Sequence, residues 1–239
     1  MFAGPNGSGK STLKSVLPKE LLGVYLNPDE IEREFRTLGF LDFANYGLSA
    51  SADRALSFFT GSSFLNSAGF ADAAKKLTFS DGRVDFKEVE INSYFASVAG
   101  ELLRQMLLEK KASFTFETVM SHHSKVDLLT QAQTLGYRTY LYFVATDDPA
   151  INRSRVRNRV KLGGHGVPED KIEERYHRSL GLLMEAIRHT NRAYIFDNSG
   201  DNVDGKHTWL AEITEGQKLE LKTDKIPTWF IRSVLEKIK

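Results

Sequence analysis

The run Gly4-Pro5-Asn6-Gly7-Ser8-Gly9-Lys10-Ser11-Thr12 sets a lysine and two hydroxyls directly behind three glycines. Gly4, Gly9, Lys10 and Ser11 satisfy the spacing G-x-x-x-x-G-K-[ST] of a phosphate-binding loop. Gly7 and Gly9 let the backbone turn until successive N–H groups face an anion. A helix beginning near Lys10 adds the positive end of its dipole. Lys10 can reach the β- and γ-phosphates, and the Ser11 hydroxyl can ligate Mg²⁺. The apolar stretch Phe2-Ala3 before the loop and the helical pattern Leu13, Val16, Leu17 after it supply the strand–loop–helix setting the motif needs. The spacing therefore predicts a nucleoside-triphosphate site over Gly4–Thr12, with Ser11 as its metal ligand.

Other residues able to do chemistry follow along the chain. Asp29, in Asn27-Pro28-Asp29-Glu30-Ile31, stands just past a short strand, on the ligand-binding edge of an open α/β sheet. It is either a functional carboxylate or a helix cap. Glu117 ends the strand Ser113–Phe116 on the same kind of edge. It can bind Mg²⁺ through water or hold a substrate hydroxyl. Arg153, Arg155, Arg157 and Arg159 fall within one predicted helix, Asn152–Lys161, and Gly163-Gly164-His165-Gly166 breaks it. Pro168 opens a second helix carrying Arg175 and Arg178. Two basic helices joined by a glycine-rich turn read as a lid over phosphates, or as a solvated hairpin paired by Glu169, Asp170, Glu173 and Glu174. The adjacent His122 and His123 point to different faces and have no carboxylate at ligand spacing, so they do not read as a metal site.

The elements that must position these groups alternate between strand and helix. Predicted strands are Gly23–Leu26, Ser113–Phe116, Thr139–Val144 and Ala193–Phe196. Predicted helices are Glu30–Arg36, Val89–Lys111, Asp127–Leu135 and the basic pair. This alternation predicts a doubly wound, mainly parallel sheet. Trp209–Ile213 and Lys218–Leu221 read as an edge hairpin. Pro227 starts a closing helix with Trp229, Phe230, Val234, Leu235 and Ile238 on its apolar side. Leu38–Phe86 interrupts the alternation with eight phenylalanines, a helix near Ala50–Phe59 and a hairpin around Asp81-Gly82. It reads as an insertion with its own small core, or as a cap over the substrate. Only Met1-Phe2-Ala3 precede the loop, so the first strand is stunted or starts upstream.

A net charge of +1 with 26% charged residues gives no global field for nucleic acid or membrane. The absence of cysteine excludes disulfides and fits a reducing compartment. No apolar run is long enough for a bilayer span, and no signal peptide precedes the loop. The expectation is one domain over residues 1–239 in the cytoplasm, with the insertion at about 38–86 and the lid at about 152–178. No hydrophobic run ends in the Asp-Glu pair of a transporter-type ATPase, which favours a small kinase.

Taken in order, these motifs resemble the zeta-toxin-like kinases. The resemblance rests on Gly4–Thr12, Leu26–Ile31, Ser113–Thr118, Arg155–Pro168, Arg175-Tyr176-His177-Arg178-Ser179-Leu180 and Phe196-Asp197-Asn198-Ser199-Gly200. It implies a P-loop NTPase fold and Mg²⁺-dependent phosphoryl transfer from ATP to a sugar hydroxyl. The implied acceptor is a nucleotide sugar of the UDP-N-acetylglucosamine type, and the implied partner is an antitoxin. By position, Asp29 matches the family's catalytic base and Glu117 its substrate-contacting glutamate. Arg159, with Arg157 or Arg175, matches the arginines that clamp the transferring phosphate beside Lys10. Thr118, Ser121 and His123 follow Glu117 on the substrate side, with a histidine where relatives carry an arginine. Different readings are a nucleotide-binding toxin–antitoxin or regulatory module with slow ATPase activity, and a kinase of a nucleoside, antibiotic or dinucleotide.

Overall fold

A computed structural model describes residues 1–14, 17–164, 166–200 and 207–238. The predicted helix positions at Val16 and the lid residue His165 lie outside the described residues. In chain order the elements begin with β1 (Phe2–Ala3), α1 (Lys10–Leu13), β2 (Val24–Leu26), α2 (Pro28–Leu38) and β3 (Phe40–Asp42). They continue with α3 (Ala52–Thr60), α4 (Ser63–Ser67), α5 (Ala71–Ala74), β4 (Thr78–Ser80), β5 (Arg83–Asp85) and α6 (Ser93–Glu109). Then come β6 (Phe114–Thr118), α7 (Ser124–Thr134), β7 (Tyr140–Ala145), α8 (Pro149–Lys161) and α9 (Glu169–Arg188). The last are β8 (Arg192–Asp197), β9 (Thr208–Thr214), β10 (Lys218–Leu221) and α10 (Thr228–Phe230).

The chain divides into two compact units, Met1–Leu21 with Glu117–Lys239, and Leu22–Phe116. In the first unit β1 pairs in parallel with the end of β6 on one side and with β7 on the other. β8 continues the sheet in parallel, and β9 and β10 close it antiparallel, as the predicted edge hairpin. Such a mixed, largely parallel sheet with crossover helices is the α/β architecture of P-loop NTPases. Phe2 and Ala3 are fully buried, because a strand flanked in parallel on both sides loses both faces to the core. β7 is the matching apolar run, with Leu141, Phe143, Val144 and Ala145 fully buried.

The second unit holds β2 paired in parallel with Phe114–Phe116, and the helices α2 and α6. The phenylalanine-rich stretch folds here into α3, α4, α5 and a three-stranded antiparallel sheet in the order β3-β5-β4. The predicted hairpin is present, with Asp81 and Gly82 both at positive φ as a tight primed turn requires. The strand β3 was not expected. Three residues, Phe40-Leu41-Asp42, are too short for a period to show. The insertion does not keep its core to itself. Phe86 stacks on Phe35 of α2 at 4.5 Å, and Phe59 and Phe86 both meet Phe95 of α6. The closing helix also differs from expectation. It has one α-helical turn, α10, followed by a π-helical stretch Ile231–Leu235 that keeps Trp229, Phe230 and Val234 buried.

Because Phe95 is fully buried among Phe59, Phe70 and Phe86, Phe95→Ala should destabilise the protein by about 3–5 kcal/mol. Urea unfolding of both proteins would measure it. A loss below about 1 kcal/mol would show that this aromatic cluster does not hold the second unit together.

Candidate phosphate site

Backbone geometry shapes the loop between β1 and α1. Gly7 has φ +74°, and a Cβ added there would stand 2.6 Å from the Asn152 carbonyl oxygen of α8. Lys10 is buried, and its Nζ donates to the Pro5 carbonyl at 3.0 Å, folding the ammonium back over the loop. The Ser11 hydroxyl lies 3.2 Å from both carboxylate oxygens of Glu117. That pairing follows from the sheet, since Phe2↔Glu117 and Ala3↔Thr118 are in register and bring the end of β6 beside the loop. A hydroxyl backed by a carboxylate is an all-oxygen donor set suited to a hard divalent cation. Among the described residues there is no cluster of three His, Cys, Asp or Glu able to hold a metal by itself. The donor set thus fits a cation that arrives with phosphate oxygens.

The arginines of the predicted lid sort into distinct surroundings. Arg157 makes a two-pronged contact with Glu169, Nε–Oε1 at 2.5 Å and Nη2–Oε2 at 2.8 Å. Glu169 in turn holds that guanidinium pKa above its usual value. Arg153 pairs with Glu173 at 2.5 Å, and Arg178 with Glu174 at 2.5 Å. These are the carboxylate pairings of the solvated-hairpin reading, and exposed pairs of this kind stabilise by about 0–1 kcal/mol each. Arg159 is exposed near the end of α8. Its carbonyl accepts from Gly164 N–H at 2.9 Å, and Gly164 packs on its side chain. Arg175 is half-buried on α9. Arg155 does not face the α9 carboxylates. Its guanidinium donates to the carbonyls of Asn198 at 2.8 Å and Gly200 at 3.3 Å, just past β8.

On the other proposed substrate-side residues, Thr118 accepts from Met120 N–H at 3.1 Å. Ser121 is half-buried. His123 is exposed and lies 3.4 Å from Glu185 of α9. His122 bonds locally to Ser124. In the second unit Asn27, not Asp29, caps α2, for its side chain accepts from Asp29 N–H at 2.8 Å and Pro28 occupies the first turn. The Asp29 carboxylate is exposed and takes no hydrogen bond from the described residues. Asn27 therefore relieves Asp29 of the capping role that the sequence left open.

Three residues around the loop were not singled out from sequence. Asn152 is fully buried on α8 and donates to the Asn6 carbonyl at 2.6 Å. Its own side-chain oxygen accepts from Thr146, whose carbonyl is held by the buried Tyr176 hydroxyl at 2.7 Å. Asn198 and His207 also reach loop carbonyls. Asn198 lies in the run Phe196–Gly200 that carries the family resemblance, but no spacing assigned a role to any of the three, because each acts on backbone. The only sequence signal was position, Asn152 at the start of the basic helix and Asn198 directly after a parallel strand.

Gly7→Ala combines a left-handed backbone with a clash against α8. It should cost roughly 1–3 kcal/mol and lower the thermal midpoint by about 2–4 °C per kcal/mol. Gly181, in α9, has open space where a Cβ would go, so Gly181→Ala should leave the midpoint unchanged or raise it. Equal midpoints for wild type and Gly7→Ala would contradict the close loop–α8 contact.

Comparison with known proteins bears on these motifs. The family model for zeta toxin matches residues 83–205. An uncharacterised protein of Haemophilus influenzae is 29% identical over 69 residues, spanning 29% of this chain and 49% of that protein. The crystal structure of AvrRxo1-ORF1:AvrRxo1-ORF2 with sulphate ions aligns at a TM-score of 0.52 and 13% identity, over 93% of this chain and 60% of that one. The structure of AvrRxo1-ORF1:-ORF2 with ATP aligns at 0.51 and 14%, over 92% and 60%. This chain spans about half of the curated relative and under two thirds of the structural one. The structural likeness shows a shared fold. The family match runs through more than half of the chain and takes in the end of β6, the α8–α9 hairpin and the segment after β8: the chain belongs to the zeta toxin family.

Proposed function

We propose that the protein is an ATP-dependent kinase that transfers the γ-phosphoryl group to an alcohol of a small molecule. The proposed acceptor is a sugar hydroxyl, of the nucleotide-sugar type that its family resemblance implies. The observation that carries this reading is the loop itself, with Lys10 folded over it and Ser11 backed by Glu117. The family match and an ATP-bound structure of the same fold support it. Gly4, Pro5, Asn6, Gly7, Ser8, Gly9, Lys10, Ser11 and Thr12 would cradle the triphosphate. In this reading Lys10 leaves the Pro5 carbonyl for the β- and γ-phosphates.

Ser11 and Glu117 would hold Mg²⁺, which when bound neutralises phosphate charge. The Ser11 O–H donates to Glu117, which would leave its oxygen lone pairs available to a cation. Asp29, exposed at the start of α2, would accept the proton of the acceptor hydroxyl as transfer proceeds. Because that proton can leave late in a loose transition state, a carboxylate of ordinary basicity serves. Arg159, with Arg157 or Arg175, is the proposed transition-state clamp. Thr118, Ser121 and His123 are proposed on the acceptor side. The partner protein in the AvrRxo1-ORF1:AvrRxo1-ORF2 structures supports proposing an antitoxin-like partner here.

Two substitutions test this. Asp29→Asn retains size and leaves the Asn27 cap intact. It should keep the thermal midpoint and ATP affinity but lower phosphoryl transfer by roughly a hundredfold. Lys10→Ala should remove transfer altogether. Full transfer by Asp29→Asn would end its assignment as the base, and full transfer by Lys10→Ala would end the phosphate-loop reading.

A further inference from the structure

A phosphate loop that aims its N–H groups inward must turn its carbonyls outward, and each buried outward carbonyl needs a donor. In this protein some of those donors lie in the loop itself, as Ser8 N–H to Pro5 and Thr12 N–H to Gly9, and others come from elsewhere in the fold. Lys10 serves Pro5, and Asn152 of α8 serves Asn6. The Ser8 and Gly9 carbonyls are met from the end of the sheet. Asn198 Nδ2 donates to Ser8 O at 2.8 Å, and His207 Nε2 lies 3.1 Å from Gly9 O and 3.2 Å from Thr12 Oγ1. Asn198 directly follows β8 and His207 directly precedes β9. Asp197↔Thr208 are paired across the two strands, so the two side chains stand opposite each other. Arg155 fixes the same corner through the Asn198 and Gly200 carbonyls.

The fit is close enough to require glycine. A Cβ on Gly9 would stand 2.4 Å from Asn198 Nδ2 and 2.9 Å from His207 Nε2. The acceptor at Gly9 is a carbonyl, so His207 Nε2 carries the hydrogen. Thr12 Oγ1, which donates to Gly9 O at 2.5 Å, can accept from the same N–H. The Phe196 ring packs edge-on against the imidazole, with centroids 6.5 Å apart. Burial is the largest influence and lowers the pKa of the ring; the Gly9 hydrogen bond opposes it and Arg155 adds a smaller lowering, so the neutral ring is favoured.

We propose that Asn198 and His207 are positioning residues for the nucleotide: from the mouth of the β8–β9 pair they hold the Ser8 and Gly9 carbonyls outward, and so aim the loop amides at the phosphates. This rests on the phosphate-loop reading above and adds that nucleotide affinity depends on the last parallel strand. Neither residue need touch the ligand.

Calorimetric titration with ATP on wild type, His207→Ala, His207→Gln and Asn198→Ala tests it, with thermal midpoints recorded in parallel. His207→Ala and Asn198→Ala should each weaken ATP binding by roughly tenfold, the loss expected for one loop-ordering hydrogen bond. Glutamine places its amide nitrogen where Nε2 stood, so His207→Gln should recover most of the affinity. Should an alanine variant fail to fold, Asn198→Leu, which keeps the volume and loses the donor without adding charge, is compared with wild type and should bind about tenfold more weakly. Wild-type affinity in both His207→Ala and Asn198→Ala would overturn the proposal while leaving the phosphate-loop reading intact. So would a His207→Gln variant as weak as His207→Ala, since the donor would then not matter. Absence of ATP binding by the wild type would instead defeat the phosphate-loop reading on which the proposal stands.

Discussion

The first unit depends on one constraint. Successive amides of a loop can face an anion only if the intervening carbonyls face away and are satisfied there. Each neighbour of the loop supplies a part of that. β1 is clamped in parallel between β6 and β7, which fixes where the loop leaves the sheet. The start of α8 contributes buried Asn152, itself oriented through Thr146 and Tyr176. The mouth of the β8–β9 pair contributes Asn198 and His207. The register between β1 and β6 then places Glu117 beside Ser11, so the hydroxyl and the carboxylate that accepts from it are brought together by strand pairing.

A different physical problem governs the second unit. Short helices and three-residue strands cannot stabilise themselves, and they persist here by sharing one aromatic core. Phe35 of α2, Phe59 of α3, Phe86 after β5 and Phe95 of α6 meet at ring distances of 4.5–6.3 Å. For the proposed function the consequence runs through α2. Its packing on the stretch that reads as an insertion fixes the helix whose first turn carries Asp29, and the Asn27 cap leaves that carboxylate exposed.

The loop Gly4–Thr12 was legible because its chemistry is local, set by glycine and lysine spacing within nine residues. The family match begins only at residue 83, so the loop stands on its own spacing. The parallel strands were legible as apolar runs, and the edge hairpin through Glu215-Gly216, both at positive φ. What stayed hidden acts at a distance. Asn152, Asn198 and His207 bind backbone carbonyls, which leave no mark in the sequence of the residues they serve. Helical spacing puts Arg153 and Arg157 on one face of α8 and Arg155 and Arg159 on another, but does not say what each face meets. Folding separates them, because Arg157 faces Glu169 while Arg155 turns toward the end of β8. The π-helical stretch at Ile231–Leu235 was read as ordinary helix, since the two share an apolar pattern over one turn.

The most direct test of phosphoryl transfer is to follow the γ-phosphate itself. Wild-type protein would be incubated with γ-labelled ATP and a bacterial small-molecule extract, and the labelled products separated and identified. The account predicts label on the hydroxyl of one small-molecule class, formed in proportion to extract and absent with Lys10→Ala. Label recovered only as inorganic phosphate, whatever the extract, would contradict it and would make the protein a nucleotide-hydrolysing module.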